Sequence, residues 1–310
     1  MIIRNMFQKL VSFFVLTAAL ECKDEIGNAI DSWEILKFPQ STSYVFSTET
    51  ESSPYDLNST SSGALAETIQ QLWTPGIQYA IYNDEPPYAT GYNFSVAHAK
   101  AVFFWDSVSA VGIFHSIPQF PVGPGLSPSY IGLLPNAWEY AQHVVCVSIP
   151  VAELNSVLAS LAAMSPRVYD GSLPSPALPT PLIDCSYIPV GDRIVIAKPS
   201  IYQVDIWSTC IAGHFSTDLQ VISWVHGTTD GPSCGQTDTV DISEITYPFG
   251  ESYSNYDNHA KWGVGTSPLV CFGDLNRVES QMQRSGAVLC WKDLEIYNSL
   301  TAIVASTNSC

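Results

Sequence analysis

Positively charged side chains are scarce in this chain, which has 12 lysines and arginines against 29 aspartates and glutamates and a formal net charge of −17. Proteins that bind nucleic acids normally neutralise the phosphates with basic patches. The composition excludes a broad basic surface of that kind. In acid the carboxylates lose charge and the six histidines gain it, so a polyanion is repelled less at low pH. An acidic surface also has a simpler explanation, which is solubility.

Long apolar runs are missing after the N-terminus. The chain opens with Arg4 and Lys9, an apolar run from Leu10 to Leu16 and small residues at 17–19, which is the pattern of a secretory signal. That run is far too short to span a bilayer. We therefore predict a signal peptide over residues 1–21 and a mature chain that does not enter the membrane and is secreted (extracellular) or lysosomal.

Common metal-binding and redox motifs are absent as well. The sequence has no Cys-x-x-Cys pair, no His-Glu-x-x-His and no EF-hand loop, so we expect no metal and no cofactor. Its eight cysteines all lie at or after Cys22, which indicates disulfides formed in an oxidising compartment. Glycosylation sequons at Asn58 and Asn93 agree with secretory transit.

Mixed strand and helix patterns predict an α/β (α+β layered) fold. Residues 22–164 and 191–310 form two halves of similar pattern, joined by a Pro/Ser-rich linker at 165–190, and residues 41–63 are predicted to be a surface loop. Extended segments are predicted at Ile77–Tyr82, Ala101–Trp105, Val111–His115, Val144–Ile149, Ile194–Ala197, Leu219–His226, His259–Trp262 and Pro268–Phe272. Helices are predicted at Ala64–Trp73, Pro150–Met164, Tyr202–Gly213 and Asp293–Ala305.

One tripeptide occurs once in each half, as His98-Ala99-Lys100 and His259-Ala260-Lys261. A neutral imidazole can attack phosphorus, and a protonated one can give a proton to the leaving oxygen. A lysine two residues along a strand points to the same side as its histidine and can hold phosphate oxygens. The repetition predicts catalytic side chains; the alternative is two core histidines and two solvated strand lysines.

Three further polar residues lie at related offsets. His115 and Asn276 each follow their histidine by seventeen residues, and Asp106 follows His98 by eight. They are candidates for orienting the histidines and lysines or contacting phosphate, although each could instead cap a turn. The other histidines lie in no motif and are interpreted as structural: His143, His214 and His226.

Several spaced segments resemble the deoxyribonuclease II family, a branch of the phospholipase D-type superfamily. They are Ser32–Pro39, Tyr82–Pro87, His115–Pro121, Tyr140–Gln142, Cys146–Ser148, Asn258–Trp262 and Cys271–Arg277. Phospholipase D-type sites usually carry the acidic residue one position before Asp106, and the second tripeptide has no acidic equivalent. Both departures suit the deoxyribonuclease II branch.

The resemblance implies a phospholipase D-like fold, in which two similar halves, each a mixed β-sheet flanked by helices, share one active-site cleft. It implies a metal-independent acid endonuclease that cuts DNA without sequence specificity and leaves 3′-phosphate and 5′-hydroxyl ends through a phosphohistidine. His98 is then the nucleophile and His259 the acid and base, while Lys100 and Lys261 hold the phosphate oxygens. One chain can complete such a site, so the oligomeric state stays open.

The resemblance also implies three disulfides: Cys22–Cys146, Cys234–Cys310 and Cys271–Cys290. Cys185 and Cys210 have no family counterpart and either pair with each other or stay as buried thiols.

Two other functions are open on the sequence alone. A phospholipase D-type lipid phosphodiesterase would use the same chemistry, but the missing second acidic residue disfavours it. A secreted, catalytically weak protein that binds ligands or modulates immunity could keep the fold. Two complete His-x-Lys copies disfavour that interpretation.

Overall fold

The computed structural model of this protein describes residues 19–89, 95–173, 182–229 and 231–310. Most of the predicted signal peptide and the sequon at Asn93 lie outside these residues. Glycosylation at Asn58, which is half-buried, stays a prediction. None of the helices in the described ranges is long and apolar enough to cross a membrane.

The fold is a mixture of many strands and few helices. The strands are β1 Cys22–Lys23, β2 Ala29–Ile30, β3 Ser32–Lys37, β4 Tyr44–Phe46, β5 Gln78–Asn83, β6 Lys100–Trp105, β7 Ala110–His115, β8 Gln142–Ile149, β9 Val168–Gly171, β10 Ser186–Val190, β11 Arg193–Lys198, β12 Leu219–Ile222, β13 Thr239–Thr246, β14 Ser252–Ser254, β15 Trp262–Gly265, β16 Leu269–Gly273, β17 Gly286–Lys292 and β18 Val304–Thr307. The α-helices are α1 Ala64–Ile69, α2 Val151–Ala163, α3 Gly213–Phe215, α4 Glu279–Met282 and α5 Leu294–Ile303. Three 3₁₀ turns and one π-helix complete the elements: Gln70–Trp73, Pro135–Ala137, Asn255–Asp257 and, as the π-helix, Ile206–Ala212.

Two large sheets carry the fold. The first has the order β4-β3-β8-β7-β6-β5-β9 and is antiparallel throughout, so the expectation of a mixed sheet is wrong for this half. The second runs β10-β11-β17-β16-β15-β12-β13-β14, with β18 also paired to β13, and it is mixed because β12 and β13 are parallel. Five adjacent strands are arranged alike in the two sheets: β3-β8-β7-β6-β5 in the first and β11-β17-β16-β15-β12 in the second. In each series the strand that comes first in the sequence lies beside the one that comes fifth, followed by the fourth, the third and the second.

The two sheets share an apolar core. One cluster of buried side chains contains Phe103 and Val145 of the first sheet together with Trp262 and Phe272 of the second. Separate clusters cover the opposite faces, one with α1 and one with the π-helix. Both faces of the central strands are therefore buried, which explains continuous apolar runs such as Ala101–Trp105.

Helix α2 follows the predicted pattern closely. Leu154, Val157, Leu158 and Leu161 recur at helical spacing, and all four are buried in the shared core. The terminal helix is also confirmed as α5, where the Asp293 side chain accepts hydrogen bonds from the backbone N–H groups of Glu295 and Ile296.

Other expectations differ from the structure. The predicted linker contains strands β9 and β10, and the predicted loop at 41–63 contains β4. The predicted helix Tyr202–Gly213 begins only at Ile206, as a π-helix. Each tripeptide leads into a strand rather than lying within one, since β6 begins at Lys100 and β15 begins at Trp262.

All eight cysteines form disulfides. The three implied pairs are present, and Cys185 pairs with Cys210. The first half is closed by Cys22–Cys146, and the second by Cys271–Cys290 between directly opposed residues of β16 and β17. The Cys234–Cys310 bridge fixes the chain end. Bridges of this number fit a secreted or lysosomal protein.

Candidate active site

His98 lies just before β6 and is held by the backbone of the second half. Its own N–H donates to the carbonyl oxygen of Ser285 at 2.9 Å, and its Nδ1 atom lies 2.6 Å from the carbonyl oxygen of Asp274. A carbonyl only accepts hydrogen bonds, so this contact assigns the proton to Nδ1. The Nε2 atom then carries the lone pair, as a nucleophile requires.

His259 is held in turn by the first half. Its N–H donates to the carbonyl oxygen of Ala141 at 2.8 Å. The ring stacks on Tyr140, with centroids 4.0 Å apart and planes 5° apart, and meets Trp224 at 4.5 Å and 67°. Its buried Nε2 atom has no hydrogen-bond partner among the described residues. An unpaired buried nitrogen at this position can exchange a proton with a substrate.

Both histidines line one cavity of about 370 Å³. Lys100, Lys261 and Asn276 line the same cavity, so five of the seven predicted site residues come together. The Asn276 side chain oxygen accepts a hydrogen bond from the backbone N–H of Trp224 at 3.1 Å, which leaves its amide group for other contacts. The two tripeptides that repeat in the sequence therefore meet at one cavity in the structure.

The remaining two candidates lie elsewhere. Asp106 occupies the β6–β7 turn, at the opposite end of β6 from Lys100, where its carboxylate accepts hydrogen bonds from the N–H groups of Val108 and Ser109. The site role considered for Asp106 is therefore wrong, and the turn explains this residue. His115 is buried outside the cavity lining, and its Nδ1 accepts from the N–H of Ile117 at 3.2 Å.

Asp84 is the central site residue that the sequence did not reveal. Its buried carboxylate pairs with the Lys100 ammonium, receives a hydrogen bond from Arg284 at 2.9 Å and lies 4.0 Å from Nε2 of His98. Burial would raise the pKa of Asp84, but Lys100, His98 and Arg284 outweigh that effect and hold it well below its usual range. The only sequence feature that could have identified Asp84 is its position inside Tyr82–Pro87, one of the segments that resemble the deoxyribonuclease II family.

Asp274 connects the first tripeptide to the second sheet. Its carboxylate accepts from the N–H of Ala287 at 2.9 Å and from that of Lys100 at 3.4 Å. Burial raises the pKa of Asp274 to about 7. Because its carbonyl also binds His98, this single residue fixes both functional members of the first tripeptide.

His143, interpreted as structural, supports the second tripeptide. Its buried Nδ1 accepts the N–H of Lys261 at 3.1 Å. Burial, followed by the charge of Lys261, lowers the pKa of His143 well below its ordinary value, so this ring stays a neutral acceptor.

Comparison with known proteins assigns the chain to a family. The family model described as Deoxyribonuclease II matches residues 21–183 and 191–310. The chain belongs to the deoxyribonuclease II family. It is 28% identical to Deoxyribonuclease-2-beta of Rattus norvegicus over 95% of this chain and 94% of that protein. It is 26% identical to Cell-death-related nuclease 7 of Caenorhabditis elegans (97% and 90% covered) and 25% identical to Deoxyribonuclease-2-alpha of Sus scrofa (96% and 92%).

Burial and the neighbouring lysines favour the neutral form of both cavity histidines in this deoxyribonuclease II family member. Burial, followed by Lys261 and Lys100, lowers the pKa of His259 to about 2, and burial followed by Lys100 lowers that of His98 well below its ordinary value. Burial and then Lys100 lower the pKa of Lys261 to about 7. A bound phosphate would offset the lysine charges and raise the pKa of both histidines.

Two buried lysines support the loops that border the cavity. Lys37 ends β3 and donates to the carbonyl oxygens of Phe38, Ser41 and Trp138 at 2.7, 2.8 and 3.1 Å. Lys198 ends β11 and donates to those of Tyr202, Met282 and Arg284 at 3.0, 2.8 and 2.8 Å. Burial lowers the pKa of Lys37 to about 7 and that of Lys198 to about 8.

Proposed function

We propose that this chain is an acid endodeoxyribonuclease that hydrolyses DNA phosphodiesters without a metal ion and without sequence specificity. The observation that carries the proposal is that His98, whose Nε2 bears the lone pair, and His259 line one cavity together with two lysines. The nuclease names of the relatives support DNA as the substrate. The deoxyribonuclease II family match covers both tripeptides.

In the first step Nε2 of His98 attacks phosphorus, a P–N bond forms, and the bond from phosphorus to the 5′ oxygen breaks. Protonated His259 gives its proton to that leaving oxygen. Lys100 and Lys261 stabilise the charge that grows on the non-bridging oxygens. Asp84 holds the ammonium of Lys100 in place.

In the second step His259 takes a proton from water as the water oxygen attacks phosphorus. The P–N bond breaks, His98 regains its neutral form, and the DNA leaves with a 3′-phosphate. Each histidine ends in the protonation state in which it began, so the cycle consumes one water molecule and draws on no metal or cofactor.

We further infer that the molecule has the phospholipase D-like arrangement of two similar halves around one cleft. The five-strand series of the same order in both sheets supports this inference. The tripeptides support it too, because they lead into β6 and β15, which occupy the fourth position in the two series. Four disulfides favour an extracellular or lysosomal location.

Plasmid nicking tests the activity. At about pH 5, where histidines gain protons, purified protein in excess EDTA should nick plasmid DNA, and His98→Ala and His259→Ala should not. His214→Ala, which removes an exposed histidine outside the cavity lining, is the matched control. Loss of activity in EDTA with recovery in magnesium would contradict the mechanism.

End-group analysis tests the leaving group. The cut DNA should be labelled by polynucleotide kinase at its 5′ ends without prior phosphatase treatment. Products with 5′-phosphates would show that the wrong oxygen has been assigned as the leaving group. Hydrolysis of phosphatidylcholine vesicles but not DNA would favour the lipid phosphodiesterase.

A further inference from the structure

Aromatic rings continue from His259 to the surface of the protein. Trp224 contacts His259 and stacks on His226, with centroids 4.2 Å and planes 30° apart. His226 then meets Tyr256 at 5.5 Å, and the indole N–H of Trp224 donates to the carbonyl oxygen of Tyr256 at 3.0 Å. We call Trp224, His226 and Tyr256 the aromatic ridge.

The ridge is accessible from the cavity. Trp224 lines the cavity and is only partly buried, His226 is exposed, and Tyr256 is 57% exposed. The mechanism above uses none of these three side chains. Exposed aromatic rings that touch a reactive histidine are a recognition surface for a flat, apolar ligand group.

The cavity wall offers a polyanion few exposed cations. Within the described residues, the lysines and arginines that line the cavity are all buried: Lys100, Lys261 and Arg284. Glu85 and Glu139 lie at the same cavity and repel a polyanion. Contacts other than ion pairs with this lining are therefore needed to hold the substrate beside the scissile phosphate.

We propose that the aromatic ridge is a subsite for one unstacked nucleobase, carried by a nucleoside attached to the scissile phosphate. The inference rests on the proposed function. The ring centroids of Trp224 and His259 are 4.5 Å apart, so a nucleoside attached to a phosphate at His259 can reach Trp224. Stacking on aromatic rings tolerates every base because each has a π face, which agrees with cleavage that ignores sequence.

The subsite has a consequence for substrate structure. A base inside a duplex is already stacked on its neighbours, so it must leave the helix before it can occupy the ridge. Unstacking a base costs less free energy in single-stranded or mismatched DNA than in a matched duplex. The enzyme should cut such DNA with a lower KM than a matched duplex.

An abasic substrate tests the subsite directly. In a short single-stranded oligonucleotide with one phosphodiester among uncharged methylphosphonates, the base on the 5′ or the 3′ side of that bond is deleted in turn. Removal of the base from one side should lower kcat/KM by about fivefold to 150-fold, the effect of one stacked base. Removal from the other side should have little effect.

Variants of the ridge connect the effect to its residues. In Trp224→Leu, the oligonucleotide with and without the base should be cut at equal rates. The double variant His226→Leu/Tyr256→Leu, which keeps Trp224, should discriminate less than the natural chain. Trp224→Phe keeps a ring and should retain part of the discrimination. His214→Leu is the matched control, because His214 also stacks on an aromatic ring, Tyr187, at 4.1 Å, outside the cavity lining.

Binding to His98→Ala separates the subsite from catalysis. Fluorescence titration with the same oligonucleotides should give a Kd that rises about fivefold to 150-fold without the base. Equal Kd and kcat/KM values with and without the base in the unaltered ridge would overturn the subsite, as would discrimination that persists in Trp224→Leu. Absence of cleavage by the natural chain, with base-dependent binding intact, would instead overturn the proposed function.

Discussion

The ammonium groups of Lys37 and Lys198 are bound alike in the two large sheets, each by three backbone carbonyl oxygens. Each lysine is the last residue of its strand and lies opposite the first residue of the neighbouring strand, Gln142 or Gly286. The first holds the carbonyl of Trp138, two residues before Tyr140, and the second holds that of Arg284. The same device therefore anchors both sides of the cavity.

Replacement of either lysine should weaken the fold. Lys198→Met removes the donor to the carbonyl oxygens of Met282 and Arg284, at a cost of about 1–3 kcal/mol for each, whereas that of Tyr202 still accepts from the N–H of Val204. The kcat should also fall, because the backbone of Arg284 loses its anchor. Urea unfolding and cleavage rates measure both effects, and exposed Lys292→Met is the control. Unchanged unfolding in Lys198→Met would refute the anchoring role.

Removal of the Asp84 charge should damage the site. Asp84→Asn leaves Lys100 and Arg284 without their shared carboxylate, and an uncompensated buried charge costs about 3–5 kcal/mol. We expect loss of stability and a large fall in kcat. Asp106→Asn makes the same chemical change in the β6–β7 turn and should keep full activity, which would be measured in parallel by plasmid nicking.

The pH dependence of cleavage follows from His259. Burial and nearby lysines hold its pKa below 6.5, and the acid that protonates the leaving group is lost as the pH rises. The rate should therefore fall on the alkaline side, and fall again in strong acid when the pair takes up a second proton. A rate that climbs steadily to pH 9 would contradict this assignment.

Lys261→Met should move that profile. Since the Lys261 charge lowers the pKa of His259, its removal should raise that pKa and shift the alkaline limb to higher pH, although kcat falls. Measurement of kcat, which reports the groups of the substrate complex, between pH 3 and 8 (about the range in which histidines titrate) would detect the shift. A limb that stays in place would show that burial alone sets the pKa.

Acid should favour the fold through Glu34. Burial raises the pKa of Glu34 to about 7, above its unfolded value of 4.5, so its contribution to stability is present below pH 4.5 and is lost as the pH rises through 7. The stability of the natural chain relative to Glu34→Gln should therefore fall by up to about 3 kcal/mol across that interval. Urea unfolding of both proteins at the two ends of this pH interval measures the difference in stability. Glu51→Gln, at an exposed position, should show no such change.

Local patterns predicted the elements whose apolar spacing is regular, such as α2 and the terminal helix α5. They missed β3, whose Glu34 and Lys37 look like surface residues but are both buried. The tripeptides identified four of the residues that line the cavity because the same residue types are repeated in sequence. Asp84 and Arg284 stayed hidden since their ion pair joins positions 200 residues apart, and only the folded chain brings them together.

The crossed support of the two histidines has a consequence for the cell that makes this protein. The backbone of Ser285 and Asp274 positions His98, and that of Ala141 positions His259, so separation of the sheets misplaces both rings in a single event. We expect a half-folded chain emerging from synthesis to be inert. The DNA-cleaving cavity is therefore expected to become complete only once both sheets have folded against each other.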